Sequence, residues 1–139
     1  MGQMVVGYDG SDGGRAALDA ALSLARELGD RVVLVFGYAP PGIWGGEVAD
    51  HEEAIEELGE RLMGEARERA AGSGVEVDVE LIPKRPAEAL LDVAETRDAR
   101  LIVVGSGGES PLTGAILGST PYKLLHIARR PVLVAPANG

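Results

Sequence analysis

The sequence predicts an α/β fold: one open, five-stranded parallel sheet in the order 3-2-1-4-5, with helices on both faces. Three observations carry this. Short apolar runs such as Val32-Val33-Leu34-Val35-Phe36 and Leu101-Ile102-Val103-Val104 are continuous rather than alternating, as in strands buried on both faces. Helical stretches separate the runs, and that alternation implies parallel crossovers. One run, Val75 to Leu81, alternates strictly and so belongs at a sheet edge with one wetter face.

The elements follow in order. Met4 to Tyr8 is the first strand, ending in a turn at Asp9-Gly10-Ser11-Asp12-Gly13-Gly14. Ala17, Leu18, Ala21, Leu22, Leu24, Ala25 and Leu28 have helical spacing, and Gly29 stops the helix. Strand 2 is 32–36, followed by a Pro- and Gly-rich loop from Ala39 that contains Trp44. A long helix over about 48–71 buries Ile55, Leu58, Leu62, Ala66 and Ala70 and turns a charged face outward. Strand 3 is 75–81. Pro86 opens a helix to about Glu95, since proline is tolerated in a first turn. Strand 4 is 101–104, a glycine-rich loop fills 105–117, a helix spans 118–129, and Pro131 to Ala135 is strand 5. No internal repeat or linker composition interrupts residues 1–139, so one domain is expected.

Composition narrows the function. The 139 residues are 45% apolar and 25% charged, an ordinary globular balance. With 13 basic against 22 acidic residues the net charge is -9, which disfavours nucleic acid and anionic membrane surfaces. No apolar run reaches a membrane-spanning length and no secretory leader pattern is present, so a cytoplasmic location is expected. The absence of cysteine excludes disulfides, thiol catalysis and thiolate zinc sites. His51 and His126 lack a second ligand at metal spacing and read as solvated or structural. Glycine is the outlier, with 20 residues, ten of them in the windows 2–14 and 105–118.

Open parallel sheets bind ligands beyond the carboxyl ends of strands where the winding reverses. Here that point lies between strands 1 and 4, whose outgoing loops are the two glycine-rich windows. Glycines allow backbone to approach a polyphosphate and to turn N–H groups inward. Gly118-Ser119-Thr120 opens a helix whose free N–H groups and dipole suit an anion. The familiar phosphate and nucleophile patterns fail, however. There is no Gly-Lys pair for a P-loop, Ser110 stands where a dinucleotide fingerprint needs glycine, and Val104 breaks a GxSxG elbow.

What is present is Gly105-x2-Gly108-x9-Gly118-Ser119. With Asp9 closing strand 1, the Pro-Ala-Glu-Ala-Leu-Leu start at 86–91, strand 101–105 and the closing Pro131-Val132-Leu133-Val134, the whole chain resembles the ATP-binding branch of the universal stress protein family. That resemblance implies a Rossmann-like, adenine nucleotide α-hydrolase-like fold. It implies one ATP per subunit, with Mg²⁺ or Mn²⁺ carried by the nucleotide. Gly105, Gly108, Gly118 and Ser119 would surround ribose and phosphates, together with Ser106, Gly107, Leu117 and Thr120 of the same loop and helix start. Asp9 would sit near ribose or adenine beside Gly7 and Tyr8, and Phe36-Gly37 would line the adenine. The resemblance also implies a homodimer through the last strand, 131–136.

The chain departs from the family pattern in places. Gly37 replaces a usually apolar residue, often valine, which implies a looser adenine wall, and Thr120 stands where valine is common. Lys84-Arg85 replaces a glycine before Pro86 and is expected to offset the acidic field near the ligand. Asp9 has an alternative job in capping the first helix. A regulatory nucleotide binder is the reading adopted. A slow ATPase and a dimeric scaffold that binds no nucleotide are the alternatives. The loop contains no Lys or Arg to neutralise charge in phosphoryl transfer, so any hydrolysis should be slow. A pyrophosphate-releasing SGGxDS loop would belong after strand 1, and Ser106 to Ser110 lacks its Asp. A receiver domain would need an Asp after strand 3 and a Lys after strand 5, where Pro83-Lys84-Arg85 and Pro136-Ala137 stand instead.

Overall fold

A computed structural model of the chain describes residues 1–38, 48–107 and 117–137, with the side chains of 48–51 left aside. The loop containing Trp44 and the predicted site residue Gly108 lie outside the described residues, as does the side chain of His51. Five parallel strands form one sheet in the order β3-β2-β1-β4-β5, as predicted. They are β1 (Gln3–Gly7), β2 (Arg31–Gly37), β3 (Val77–Ile82), β4 (Leu101–Gly105) and β5 (Val132–Ala135). The helices are α1 (Asp12–Leu28), α2 (Val48–Ala70), α3 (Pro86–Thr96) and α4 (Ser119–Ile127).

Strand periodicity splits the core into two layers. Met4, Val6, Val32, Leu34 and Val103 point to α1 and α2, where they meet Leu18, Leu22 and Leu62. Val5, Val33, Val35, Ile102 and Val104 point to the opposite face, against Leu90 and Val93 of α3 and Leu124 of α4. In register, Val5 of β1 sits between Val33 of β2 and Ile102 of β4, so the central strand is covered on both faces. β3 is the edge its alternation predicted. Val77, Val79 and Leu81 pack inward, while Asp78 bonds to Arg31 at 2.8 Å and Glu80 to Arg97 at 2.6 Å.

Several boundaries shift by one or two residues from the sequence reading, and at two helix ends the cause is local. The first helix starts at Asp12, not after the glycines, because the Ser11 hydroxyl accepts a hydrogen bond from Gly14 N–H and caps it. The last helix stops at Ile127, since Ala128 has extended backbone angles. At the other end of the sheet the Asp30 carboxylate is buried and takes two hydrogen bonds from Arg100, 2.7 and 3.0 Å, tying β2 to β4. A Cβ on Gly2 would stand 2.7 Å from Asp30 Oδ1, so glycine is required for that clamp.

Candidate functional site

A cleft of about 330 Å³ opens at the carboxyl ends of β1, β2 and β4, where the winding direction reverses. Ten predicted site residues line it. Gly7, Tyr8 and Asp9 come from β1 and its turn, and Phe36 and Gly37 end β2. Gly105 and Gly107 leave β4, while Gly118, Ser119 and Thr120 begin α4. Ser106 and Leu117 are not on its wall. Ser106 instead secures the loop base: its N–H donates to Ala135 O at 2.9 Å, and its carbonyl accepts from Gly118 N–H at 2.8 Å.

Two helix N-termini meet at the cleft, and they are not equivalent. α1 is capped by Ser11, carries Asp12 in its first turn and adjoins Asp9, so its donors are partly satisfied and its field partly cancelled. α4 has Gly118 at its N-cap position, with no side-chain cap and no acidic residue in its first turn. The Ser119 and Thr120 N–H groups therefore have no intrahelical acceptor, and Pro121 brings no further N–H. An anion fits at α4 rather than α1.

The glycines prove to have distinct reasons. A Cβ on Gly105 would lie 2.5 Å from Gly13 O and 2.7 Å from Gly13 Cα. The end of β4 thus packs directly on the backbone of the α1 N-terminus, and that contact requires glycine at 105. Gly37 is similar: its Cβ would stand 2.6 Å from Lys84 O and 2.9 Å from Pro86 N. The wall expected to be loose there is filled by the β3–α3 connection, and Pro86 itself lines the cleft. Among the described residues of the β4–α4 loop, only Gly107, with φ +59, takes the left-handed conformation that the phosphate-loop reading invoked.

Asp9 is exposed, and its Oδ1 accepts from Ser11 N–H at 2.9 Å, so it closes the turn and leaves helix capping to Ser11. A Cβ on Gly14 would lie 3.0 Å from Asp9 Oδ1 and 3.2 Å from Asp9 N, so a side chain there would press on the turn by a few tenths of an ångström. Tyr8 is buried among the α1 and α2 core residues, and its hydroxyl donates to Glu65 Oε2 at 2.8 Å. Burial first, then the bond to Glu65 and that carboxylate's charge, push the phenol up to about 12.

Cations at the rim are engaged elsewhere. Arg15 bonds to Gly10 O and to Asp12, Lys84 pairs with Asp92, and Lys123 pairs with Glu88. The Lys123 hydrogen bond is the main cause holding the Glu88 carboxyl below its usual value. Arg85 is exposed and, like Lys84, is not on the cleft wall, so any offset of the acidic field by this pair acts without direct contact with the cleft. His126 is exposed, its Nδ1 is 2.9 Å from Tyr122 O, and its ring lies 4.5 Å from the Tyr122 ring. The described residues contain no group of three His, Asp or Glu side chains placed to hold a metal ion. Among those residues, no helix is long and apolar enough to cross a membrane.

The sequence reading did not name Ser11, Gly13, Gly14, Val35 or Val104 as site residues, nor Pro86, Leu90 and Pro121 from α3 and α4. Consecutive glycines in a helical first turn cost about 1 kcal/mol each, which is a signal for Gly13 and Gly14. Leu90 and Val104 carry no such mark, because core and cleft-lining apolar residues look alike in one dimension.

The model of the Universal stress protein family matches residues 1–136. A universal stress protein of Bacillus subtilis is 31% identical over 143 residues, covering 95% of this chain and 97% of its own length. One from Thermus aquaticus is 36% identical over 132 residues, covering 94% and 96%. Among solved structures, a universal stress protein in complex with cAMP superimposes with a TM-score of 0.78 at 28% identity, covering 96% of each chain. A universal stress protein of Archaeoglobus fulgidus in complex with dAMP gives 0.72 at 25% identity, covering 97% of this chain and 98% of its own.

Proposed function

The chain belongs to the universal stress protein family, and from that premise we propose that it is a regulatory adenine-nucleotide binder, with ATP as its expected ligand. The observation that carries the reading is the pairing, in one cleft, of an apolar slot and an uncapped helix start. Phe36, Pro86 and Leu90 suit a purine, and the Ser119 and Thr120 N–H and hydroxyl groups suit a phosphate. Two similar solved proteins, bound to cAMP and dAMP, support the ligand class. Asp9, at the β1 tip between them, would take a ribose hydroxyl or the base.

No arginine or lysine among the described residues lines the cleft, and the segment 108–116 contains none. A triphosphate would thus bring its own Mg²⁺ or Mn²⁺, held mainly by the phosphates. The same lack of cations favours binding over hydrolysis. A homodimer through 131–136 fits β5, an apolar edge strand flanked by exposed Tyr122, Leu125 and Ile127 of α4.

The test is to denature the purified protein, identify any released nucleotide, and titrate ATP, AMP and cAMP calorimetrically with and without Mg²⁺. A bound or titratable adenine nucleotide is expected. No release and no binding heat would leave the scaffold alternative standing.

A further inference from the structure

From the packing beneath the β1–α1 turn, we infer that Tyr8 and Glu65 form a positioning pair that sets the Asp9 carboxylate for the ligand and so couples the cleft to α2. Tyr8 immediately precedes Asp9. Its backbone N–H donates to Val35 O at 3.1 Å, extending the β1–β2 pairing one step beyond Gly7. Its ring is 3% exposed in the layer under α1 and α2, and its hydroxyl meets Glu65 across 57 residues of sequence.

The turn itself rests on the same helix. Gly10 has φ +82, and a Cβ there would stand 3.7 Å from Glu65 Oε2 and 3.8 Å from Leu62 Cδ2. One carboxylate of α2 therefore accepts from Tyr8 and lies against Gly10, the residues on either side of Asp9. From the α1 side, Arg15 holds the Gly10 carbonyl, and Ser11 N–H holds Asp9 Oδ1. The Asp9 carboxylate is thereby placed by two helices, and only the Tyr8–Glu65 bond belongs to α2. Coupling of this kind is reciprocal: what tightens Asp9 on a ligand also fixes α2.

This inference rests on the nucleotide reading of the cleft, and its test separates the two. AMP and ATP affinities are measured for the full chain and for Tyr8→Phe, Glu65→Gln, Glu65→Leu and Asp9→Asn, with Tyr8→Phe/Asp9→Asn as the double variant. Phenylalanine keeps the ring and its packing, so folding is preserved and checked by melting. Tyr8→Phe and Glu65→Leu should weaken binding about five- to tenfold, whereas Glu65→Gln, whose amide oxygen still accepts, should stay within about twofold. In the Asp9→Asn background Tyr8→Phe should add less than about twofold, because the group it positions has been altered. Loss from Tyr8→Phe that is equal in both backgrounds, or no loss in either, overturns the positioning role. A parent protein that binds neither nucleotide overturns the nucleotide reading itself.

Discussion

Replacing Gly105 with alanine should be among the most damaging single-methyl changes in this protein. The new Cβ would lie 2.5 Å from Gly13 O, 2.6 Å from Gly13 C and 2.7 Å from its Cα. Ordinary carbon contacts fall at about 3.5–4.0 Å, so the shortfall is about 1 Å. All three atoms are backbone, in the first turn of a helix locked by Ser11, so no rotamer change relieves the clash. Overpacking costs about 1–3 kcal/mol, and a rigid partner places this case near 3. With a urea m-value of about 1.5–2 kcal/mol/M, the midpoint should fall by about 1.5–2 M. Nucleotide binding should weaken as α1 and β4 part beneath the cleft. Gly64→Ala is the matched control. It sits inside α2 with nothing within 4 Å of its Cβ direction, and it should stabilise by about 0.5–1 kcal/mol. Equilibrium unfolding of both variants checks the sign as well as the size. If Gly105→Ala lies within about 0.5 kcal/mol of the parent at unchanged m, the backbone contact is not what the structure describes.

Gly37→Ala should cost about 1–3 kcal/mol and weaken adenine-nucleotide affinity, since its Cβ meets the Lys84 and Pro86 backbone; a thermal melt and a binding titration test this, and unchanged values would restore the loose-wall expectation. Asp30→Ala should lose about 2–3 kcal/mol in urea unfolding, leaving Arg100 without its buried partner, and the half exposure of Arg100 keeps the loss below that of a fully buried pair. Tyr8, raised to about 12 in the folded protein, contributes stability that is fully present below the unfolded value near 10 and is lost as pH climbs through 12. The loss is about 2–3 kcal/mol. In Tyr8→Phe this part of the alkaline limb should vanish, whereas identical limbs in both proteins would contradict the buried hydroxyl bond.

Much of the fold was legible because parallel strands leave local marks. Continuous apolar runs at Val32 to Phe36 and Leu101 to Val104 report burial on two faces, and the alternation at Val75 to Leu81 reports an edge. The place of the cleft followed too, since strand order fixes the switch point and both glycine windows leave it. What each residue does there was less accessible. Lys84 was expected to offset the acidic field near the ligand, and it is paired with Asp92. Asp9 was a candidate cap, but Ser11, two residues on, has the hydroxyl that reaches Gly14 N–H.

By itself, the sequence determined the layer architecture, the family and the address of the cleft, because these depend on periodicity and on short motifs read along one strand, loop or helix start. Only the tertiary structure decided why Gly105 and Gly37 are glycine, which helix start remains open to an anion, and what holds Asp9. Each of those depends on a distance between segments far apart in the chain, Gly105 to Gly13, Gly37 to Pro86 and Tyr8 to Glu65. Steric exclusion and hydrogen bonding act over a few ångströms of space, and residue spacing along a sequence carries no record of which distant backbone will occupy it.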